Sequence, residues 1–299
     1  MAQDRERLMK TATYASVGLA VSLIVLKAWV WFASGSVSIL ASLIDSLMDS
    51  GASVINMIAV GIAIKPADKH HRFGHGKAES LAALVQAAFV AGSAVFLLLQ
   101  AFDRLLHPKP ITNTGWGMAV MVVSIAGTLA LVAYQRYVVK RTHSQAIAAD
   151  SLHYASDLLA NSVVIVALLL TTWGIDGADV YLAFLLVLWI FKSAWDIAKT
   201  ALSDLMDQEL PSEDRQRIET LVLGVSGVLG MHDLRTRTSG ANVFIQLHIE
   251  LDDGLNIVDA HTITEKVERT LEKAFDYSDV IVHQDPVSVV HHARGKGLI

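Results

Sequence analysis

The chain has 299 residues, of which 53% are hydrophobic and none is cysteine. Its mean hydropathy of +0.45 is well above that of a soluble globular domain, so the composition indicates a membrane protein and excludes a wholly soluble one. Without cysteine the chain has no disulfides and no thiolate metal ligands, so any bound metal must be held by imidazole and oxygen atoms.

Six apolar stretches occupy the first two thirds of the chain. With its flanks, each approaches the ~20 residues that a helix needs to cross ~30 Å of hydrocarbon. They run from Thr13 to Ala33, Val37 to Ile64, Leu81 to Leu106, Trp116 to Val139, Leu158 to Trp173 and Val180 to Ala201. We therefore predict six membrane-spanning helices. The charged N-terminus lacks a small-residue cleavage site, so we expect the first of them to be retained.

Basic residues are concentrated in alternate connections between these stretches. They precede the first span and lie between spans two and three and between spans four and five: Arg5, Arg7, Lys10, Lys65, Lys69, Arg72, Lys77, Arg136, Lys140 and Arg141. The opposite connections carry almost none, with Lys109 as the exception in the loop after Leu106. The positive-inside bias therefore predicts that both termini are cytoplasmic.

Two apolar stretches carry pairs of ionisable side chains four residues apart. Asp45 and Asp49 lie in the second, and His153 and Asp157 lie at the start of the fifth, just before Leu158. This spacing places both members of a pair on one helix face. An unpaired Asp near the bilayer centre costs about 2.5–3.5 kcal/mol, and a bound divalent cation is the simplest compensation. Helix capping or a water-filled cavity is the alternative for the Asp pair, and a satisfied interfacial histidine is the alternative for His153.

The donor types of this intramembrane set limit which cation it suits. Three carboxylates and one imidazole suit a tetrahedral cation such as Zn²⁺, and they do not exclude Cd²⁺, Fe²⁺ or Mn²⁺. Mg²⁺ fits less well because it prefers octahedral oxygen ligands and keeps its waters. A second candidate site lies in the loop after span two, at Asp68, His71 and His75, although a charged loop of this kind can also be merely solvated.

The residues after about Leu205 form a region of different character. Residues 207–299 contain nine Lys and Arg against sixteen Asp and Glu, a net charge of −7. Helices are predicted from Ser212 and over Asn256–Phe275, and strands over Gly227–Arg237, Asn242–Leu251 and Val280–Gln284. This αββαβ order indicates a small α+β sandwich with its helices on one sheet face. We predict a transmembrane domain over 1–206 and a cytoplasmic domain over 207–299.

The cytoplasmic domain also carries a histidine-rich set, which consists of His232, His248, His261, His283 and Asp285. His248 lies on the polar face of its strand, and His283 and Asp285 share a face by the two-residue period. Asp285 could bridge two cations through its two oxygens, so the pattern favours a binuclear site over histidines scattered on the surface. The final pair, His291 and His292, is expected in a frayed tail.

These motifs resemble one known family over nearly the whole chain. The runs GSVSILASLIDSLMDSGAS, PADKHHRFGHGKAESLAAL, ADSLHYASDLLANS, MHDLRTR and VIVHQDP are similar to those of the cation diffusion facilitators, most closely the bacterial zinc- and ferrous-iron-efflux type. The resemblance implies a homodimer in the bacterial inner membrane, with six transmembrane helices and a ferredoxin-like αββαβ cytoplasmic domain in each subunit.

The resemblance also implies roles for the residues already named. It implies a transport site at Asp45, Asp49, His153 and Asp157, a loop site at Asp68, His71 and His75, and a regulatory binuclear site at His232, His248, His261, His283 and Asp285. Lys77 and Asp207 match a charge pair that links the two domains.

The expected function is proton-coupled efflux of a divalent transition-metal cation by alternating access. Zn²⁺ is the main expected cargo, and Cd²⁺, Fe²⁺ and Mn²⁺ are the others. A passive metal channel and a non-transporting metal sensor are the alternatives. A membrane metalloenzyme lacks a supporting motif, because the chain has no HExxH helix, GxSxG elbow or GxxxxGK[ST] loop. We therefore expect no enzyme activity, no organic cofactor and no nucleic-acid partner. Zn²⁺ is the expected ion, both as the transported and as the regulatory cation.

Overall fold

A computed structural model describes residues 2–35, 37–106, 115–172 and 178–290. Lys109, His291 and His292 lie outside the described residues, as do parts of the loops used in the orientation argument. The chain divides into two compact units, residues 1–202 and 203–299.

The first unit is helical throughout its regular structure. Its helices are α1 (Ala2–Ser34), α2 (Val37–Ala63), α3 (Lys77–Leu106), α4 (Gly115–Thr142), α5 (Gln145–Thr172) and α6 (Ala178–Leu205), the last of which ends in the second unit. Among the described residues, five of these helices are long and apolar enough to cross a membrane: α1, α2, α3, α4 and α6. That α5 also crosses stays a prediction.

Several helices begin earlier than the apolar pattern predicts. α5 begins at Gln145, thirteen residues before the predicted Leu158, and α1 begins at Ala2 rather than near Thr13. The additional turns are polar on one side, so hydropathy alone does not detect them. His153 and Asp157 consequently lie about two and three turns inside α5 instead of at its start.

Buried polar side chains in the first half of α5 are hydrogen-bonded to three other helices. Asp150 Oδ2 accepts hydrogen bonds from Ser16 Oγ of α1 and from Gln135 Nε2 of α4, each at 2.7 Å. The hydroxyls of Tyr154 in α5 and Ser53 in α2 are hydrogen-bonded at 2.8 Å. Because buried polar groups cost free energy unless they are paired, these bonds allow α5 to pack against the bundle there.

The second unit is an α+β sandwich, as predicted. It contains α7 (Ser212–Leu223), β1 (Gly230–Ser239), β2 (Asn242–Leu251), α8 (Ile257–Ala274) and β3 (Ser278–Pro286). The odd-numbered residues of β2 pack with Ile218 and Val222 of α7 and Val267 and Leu271 of α8 in one buried core. The alternation in β2 therefore directs one face to the helices and leaves the even-numbered residues on the other face.

The sheet has the order β1-β2-β3, in which β1 pairs antiparallel and β3 pairs parallel with the central strand. This register places His232 opposite His248 and His248 opposite His283. A β-bulge follows His232, where Asp233 has a φ of 51° and the register shifts before Arg235. Bulges redirect the side chains beside them, so this one affects how His232 is presented.

Candidate metal sites

Among the described residues, three groups of His and Asp side chains bring their ligand atoms within 4.8 Å of one another. These are the membrane cluster (Asp49, His153, Asp157), the loop cluster (Asp68, His71, His75) and the sheet cluster (His232, His248, Asp285). A tetrahedral cation with ligand bonds of about 2.0–2.1 Å separates its ligand atoms by about 3.3–3.4 Å. Distances near this value therefore indicate a set that fits such a cation.

The membrane cluster joins α2 and α5. His153 Nε2 lies 3.2 Å from Asp49 Oδ1 and 3.8 Å from Asp157 Oδ2. His153 is 4% exposed, and its Nε2 has no hydrogen-bond partner of adequate geometry. A buried ring nitrogen that faces two carboxylates without bonding either is suited to accept a cation between them.

Three neighbouring hydrogen bonds hold α2 and α5 in place beside the membrane cluster. Ser53 lies one turn after Asp49, and Tyr154 follows His153, so their 2.8 Å hydrogen bond connects α2 to α5 beside the cluster. Asp150 lies three residues before His153 and is bonded to α1 and α4. Ser53, Tyr154 and Asp150 were not identified by the sequence analysis, although Asp150 could have been noticed as a further acidic residue near His153.

Asp45 is the one member of the predicted transport site that the structure does not bring into this cluster. It lies one turn before Asp49 on α2 and is exposed. The four-residue spacing places it on the same helix face as Asp49, but Asp45 is not among the residues whose ligand atoms lie within 4.8 Å of one another. Its ligand role stays a prediction.

The loop cluster is built on a turn between α2 and α3. Asp68 Oδ1 accepts the backbone N–H groups of His70 and His71 at 2.8 and 2.7 Å. Its carboxylate lies 3.5 Å from His71 Nδ1 and 3.4 Å from His75 Nε2. Gly74 closes the turn with a φ of 80°, a conformation that favours glycine.

The electrostatics of this loop favour an ionised Asp68. The backbone N–H groups of His71 and His70 lower the pKa of Asp68 below its ordinary value, because they donate to the charged form. His75 has a buried Nδ1 without a hydrogen-bond partner, so this ring also has unused donor or acceptor capacity. The predicted trio is therefore assembled within one short loop.

The sheet cluster lies on the even-numbered face of β2. Asp285 Oδ2 is 2.7 Å from His248 Nδ1 and 3.4 Å from His232 Nε2, while its other oxygen, Oδ1, is 3.3 Å from His283 Nε2. The histidine rings follow one another across the strands, with centroid distances of 5.0 Å for His232–His248 and 4.5 Å for His248–His283. Both oxygens of Asp285 thus face imidazole nitrogens, as a bridging ligand requires.

Glu250 adds an orienting contact that the sequence analysis missed. Its Oε1 lies 3.3 Å from His232 Nδ1, and the residue is only 4% exposed. When this carboxylate accepts a hydrogen bond from Nδ1–H, the other ring nitrogen, Nε2, is available toward Asp285. The signal was present in the sequence, because Glu250 lies two residues after His248 on the same strand face.

His261 lies apart from the sheet cluster within this chain. It is exposed near the start of α8, beyond the N-cap at Asn256, and is not among the grouped ligands. Its charge interacts with Glu268 one to two turns later, and burial together with Glu272 raises the pKa of Glu268. A ligand role for His261 stays a prediction.

Comparisons with known proteins agree with the two units. Residues 13–206 match the family model described as the cation efflux transmembrane domain, and residues 210–287 match that of the cation efflux protein cytoplasmic domain. The chain is 46% identical over 294 residues to the cation-efflux pump FieF of Klebsiella pneumoniae, covering 98% of both chains. It is also 46% identical over 290 residues to FieF of Escherichia coli strain K12, covering 97% of both.

Solved structures resemble a small part of the chain. The zinc form of CzrB is 28% identical, covers 27% of this chain and 94% of its own, and has a TM-score of 0.27. A nickel form of the MamM CTD is 23% identical, covers 25% of this chain and 98% of its own, and has a TM-score of 0.25. The two family matches and the near full-length relatives are the stronger findings, and they establish that this chain is a membrane transporter of the cation efflux (cation diffusion facilitator) family.

Proposed function

We propose that this chain exports a divalent transition-metal cation from the cytoplasm in exchange for protons. Cation efflux itself is the activity of its family. The observation that supports a metal cargo is the buried His153 Nε2, which has no hydrogen-bond partner and faces Asp49 and Asp157 at 3.2 and 3.8 Å.

The cargo that this geometry supports best is Zn²⁺. Imidazole with two or three carboxylates suits a small tetrahedral cation, and the two distances bracket the separation of ligands around such an ion. Cd²⁺, Fe²⁺ and Mn²⁺ accept the same donor types, so they are competing cargoes rather than excluded ones. Asp45 is proposed as the fourth ligand, one helical turn from Asp49.

Proton exchange follows from the chemistry of the ligands. A metal-binding imidazole must be neutral and a metal-binding carboxylate must be ionised, so loading the cation releases protons that were bound there. Protons from a more acidic exterior then occupy the same atoms and displace the cation. For this to export metal, the membrane cluster must face the two sides of the bilayer in turn, as in alternating access.

The same reasoning proposes the cellular arrangement. The bacterial relatives support an inner-membrane location. Basic residues on one set of connections support the placement of both termini in the cytoplasm. The membrane domain is proposed to span 1–206 and the cytoplasmic domain 207–299, and the match of the latter region to a dimerisation domain supports a homodimer.

The sheet cluster is proposed as a regulatory site. His232, His248, His283 and the two oxygens of Asp285 would hold two cations, with His261 as a further ligand. Since a cation that binds one conformation better than another shifts the equilibrium between them, this domain would report metal abundance to the transport domain. Removing residues 208–299 should therefore reduce the metal dependence of transport and weaken the dimer. Unchanged values of both would contradict regulation.

Transport is tested in proteoliposomes that contain the purified chain. An inwardly directed or outwardly directed pH gradient is imposed, and Zn²⁺ movement and internal pH are followed with separate indicators. We expect Zn²⁺ to accumulate against its own gradient when protons flow the other way, with a matching pH change. Zn²⁺ movement only down its gradient would identify a passive channel, and no movement would identify a sensor.

A further inference from the structure

A lysine lies buried beside the membrane cluster. Lys27 belongs to α1 and is 9% exposed. Its Nζ donates a hydrogen bond to Ser46 Oγ at 2.6 Å and another to the carbonyl oxygen of Ser42 at 3.1 Å. Both acceptors lie on α2, the helix that carries Asp45 and Asp49. An ammonium group inside a membrane-spanning helix is costly, so it requires compensation.

The carboxylates of the predicted transport site supply that compensation. Both hydrogen-bond acceptors of Lys27 are neutral, whereas its electrostatic interactions are with Asp49, Asp45 and Asp157. Ser46 is adjacent to Asp45 and three residues before Asp49 on α2. The hydrogen bonds to Ser46 and Ser42 therefore hold the Lys27 ammonium close to the α2 carboxylates of the predicted transport site. No motif of the sequence analysis included this residue, although it is the single charge in the stretch from Thr13 to Ala33.

The four predicted ligands of the transport site and Lys27 form a simple charge balance. Three ionised carboxylates carry −3, and the metal-binding form of His153 is neutral. A divalent cation contributes +2, and Lys27 contributes the remaining +1. A neutral assembly is the favourable one in a medium of low dielectric constant.

We propose that Lys27 is an affinity-determining residue of the transport site, which it serves as a fixed countercharge. When a divalent cation is bound, the positive charge of Lys27 makes the net charge of the site zero. It also repels that cation, so binding stays weak enough for release. This inference rests on the proposed transport site and adds to it a residue that does not contact the cargo as a ligand.

The sign of the affinity change separates this role from a structural one. Without the ammonium, three carboxylates face the cation with no opposing charge, so a divalent cation binds more tightly and leaves more slowly. If Lys27 served only to join α1 to α2, its loss would loosen the ligand helices and weaken binding. Damage to the fold cannot easily produce tighter binding.

The experiment is a calorimetric titration of the full-length purified protein with Zn²⁺ at pH 8, where protons compete less with the metal. The binding event that disappears in Asp49→Ala is assigned to the membrane site. Lys27→Gln removes the charge but keeps N–H donors for Ser42 and Ser46, and we expect it to lower the Kd of that event by about tenfold or more. Lys27→Met is the second variant if Lys27→Gln does not fold, with the same expectation.

Ser46→Ala is the matched control, because it removes one hydrogen bond of Lys27 and keeps its charge. Its Kd should stay within about threefold of wild type. Unchanged or weaker binding in the Lys27 variants overturns the countercharge role while leaving the transport site intact. A titration in which Asp49→Ala loses no binding event instead overturns the proposed site, and the inference about Lys27 with it.

Discussion

The membrane cluster and the sheet cluster use the same donor types on two kinds of scaffold. In the membrane, Asp49 belongs to α2 while His153 and Asp157 belong to α5, and the two helices are joined nearby by one side-chain hydrogen bond between Ser53 and Tyr154. In the sheet, His232, His248 and His283 are neighbours in a register that the strand pairing on both sides of β2 fixes. A few side-chain contacts can open and reform, whereas a sheet register cannot shift by small steps.

This difference matches the different functions proposed for the two clusters. A transport site must change its access during each cycle, which suits ligands on separate helices. A site that measures metal concentration must keep a constant affinity, which suits ligands locked on adjacent strands. Four predictions test how far the two clusters differ.

The largest effect is expected from Asp49→Ala. Loss of an orienting contact near a metal typically costs 10- to 100-fold in affinity, so loss of a ligand should weaken the membrane event by more than about 100-fold. Zn²⁺ transport should fall to the background of empty liposomes, while the sheet cluster keeps its affinity. Asp196→Asn is the control, since Asp196 is an exposed partner of Lys192 in α6. Full transport by Asp49→Ala would remove this residue from the site.

The complementary change is Asp285→Ala. Because both oxygens of this carboxylate face imidazoles, its loss should remove the cytoplasmic binding events together and leave the membrane event in place. Calorimetric stoichiometry on the full-length protein measures this. Asp279→Ala on the same strand is the matched control, because Asp279 is exposed and outside the cluster. If Asp285→Ala removed only one cation, a bridging role would be wrong.

A smaller effect is expected from Ser53→Ala, which removes the hydrogen bond to Tyr154 beside the membrane cluster and the longer one, 3.2 Å, that Ser53 accepts from Ser16. The loss of one such bond costs about 1 kcal/mol, so the affinity of the membrane event should fall about fivefold. The binding events of the sheet cluster should not change. Ser50→Ala is the control, since its hydroxyl bonds only back to Leu47 of the same helix. Equal effects of the two variants would show that the α2–α5 hydrogen bond does not position the ligands.

The smallest effect concerns the pH dependence of the loop cluster. Since the pKa of Asp68 is lowered, the turn that it stabilises is fully stabilised above its ordinary value of 3.8 and loses this contribution only as pH falls below that value. NMR signals of the His70 and His71 amides should therefore shift as pH falls below about 4. Asp68→Asn should remove this low-pH change. A low-pH change that persisted in Asp68→Asn would contradict the assignment.

The regular elements of the second unit were predictable because alternation reports burial directly. The predicted strand Asn242–Leu251 has the observed bounds of β2, since one residue face packs on α7 and α8 and the other does not. Helix starts were less predictable. The first three turns of α5 precede the predicted apolar stretch. Asp150 and Tyr154 in these turns are buried because they find partners on α1, α2 and α4, which no local pattern contains.

The sequence by itself determined the membrane class, the αββαβ order and the identity of the His and Asp sets, because hydropathy, two-residue alternation and donor chemistry are local properties. Tertiary structure decided which ligands meet. It grouped Asp49, rather than Asp45, with His153, separated His261 from the sheet cluster, and placed Lys27 and Glu250 beside the two sites. These outcomes depend on helix packing and strand register, which bring together residues distant in sequence and cannot be deduced from spacing along one element.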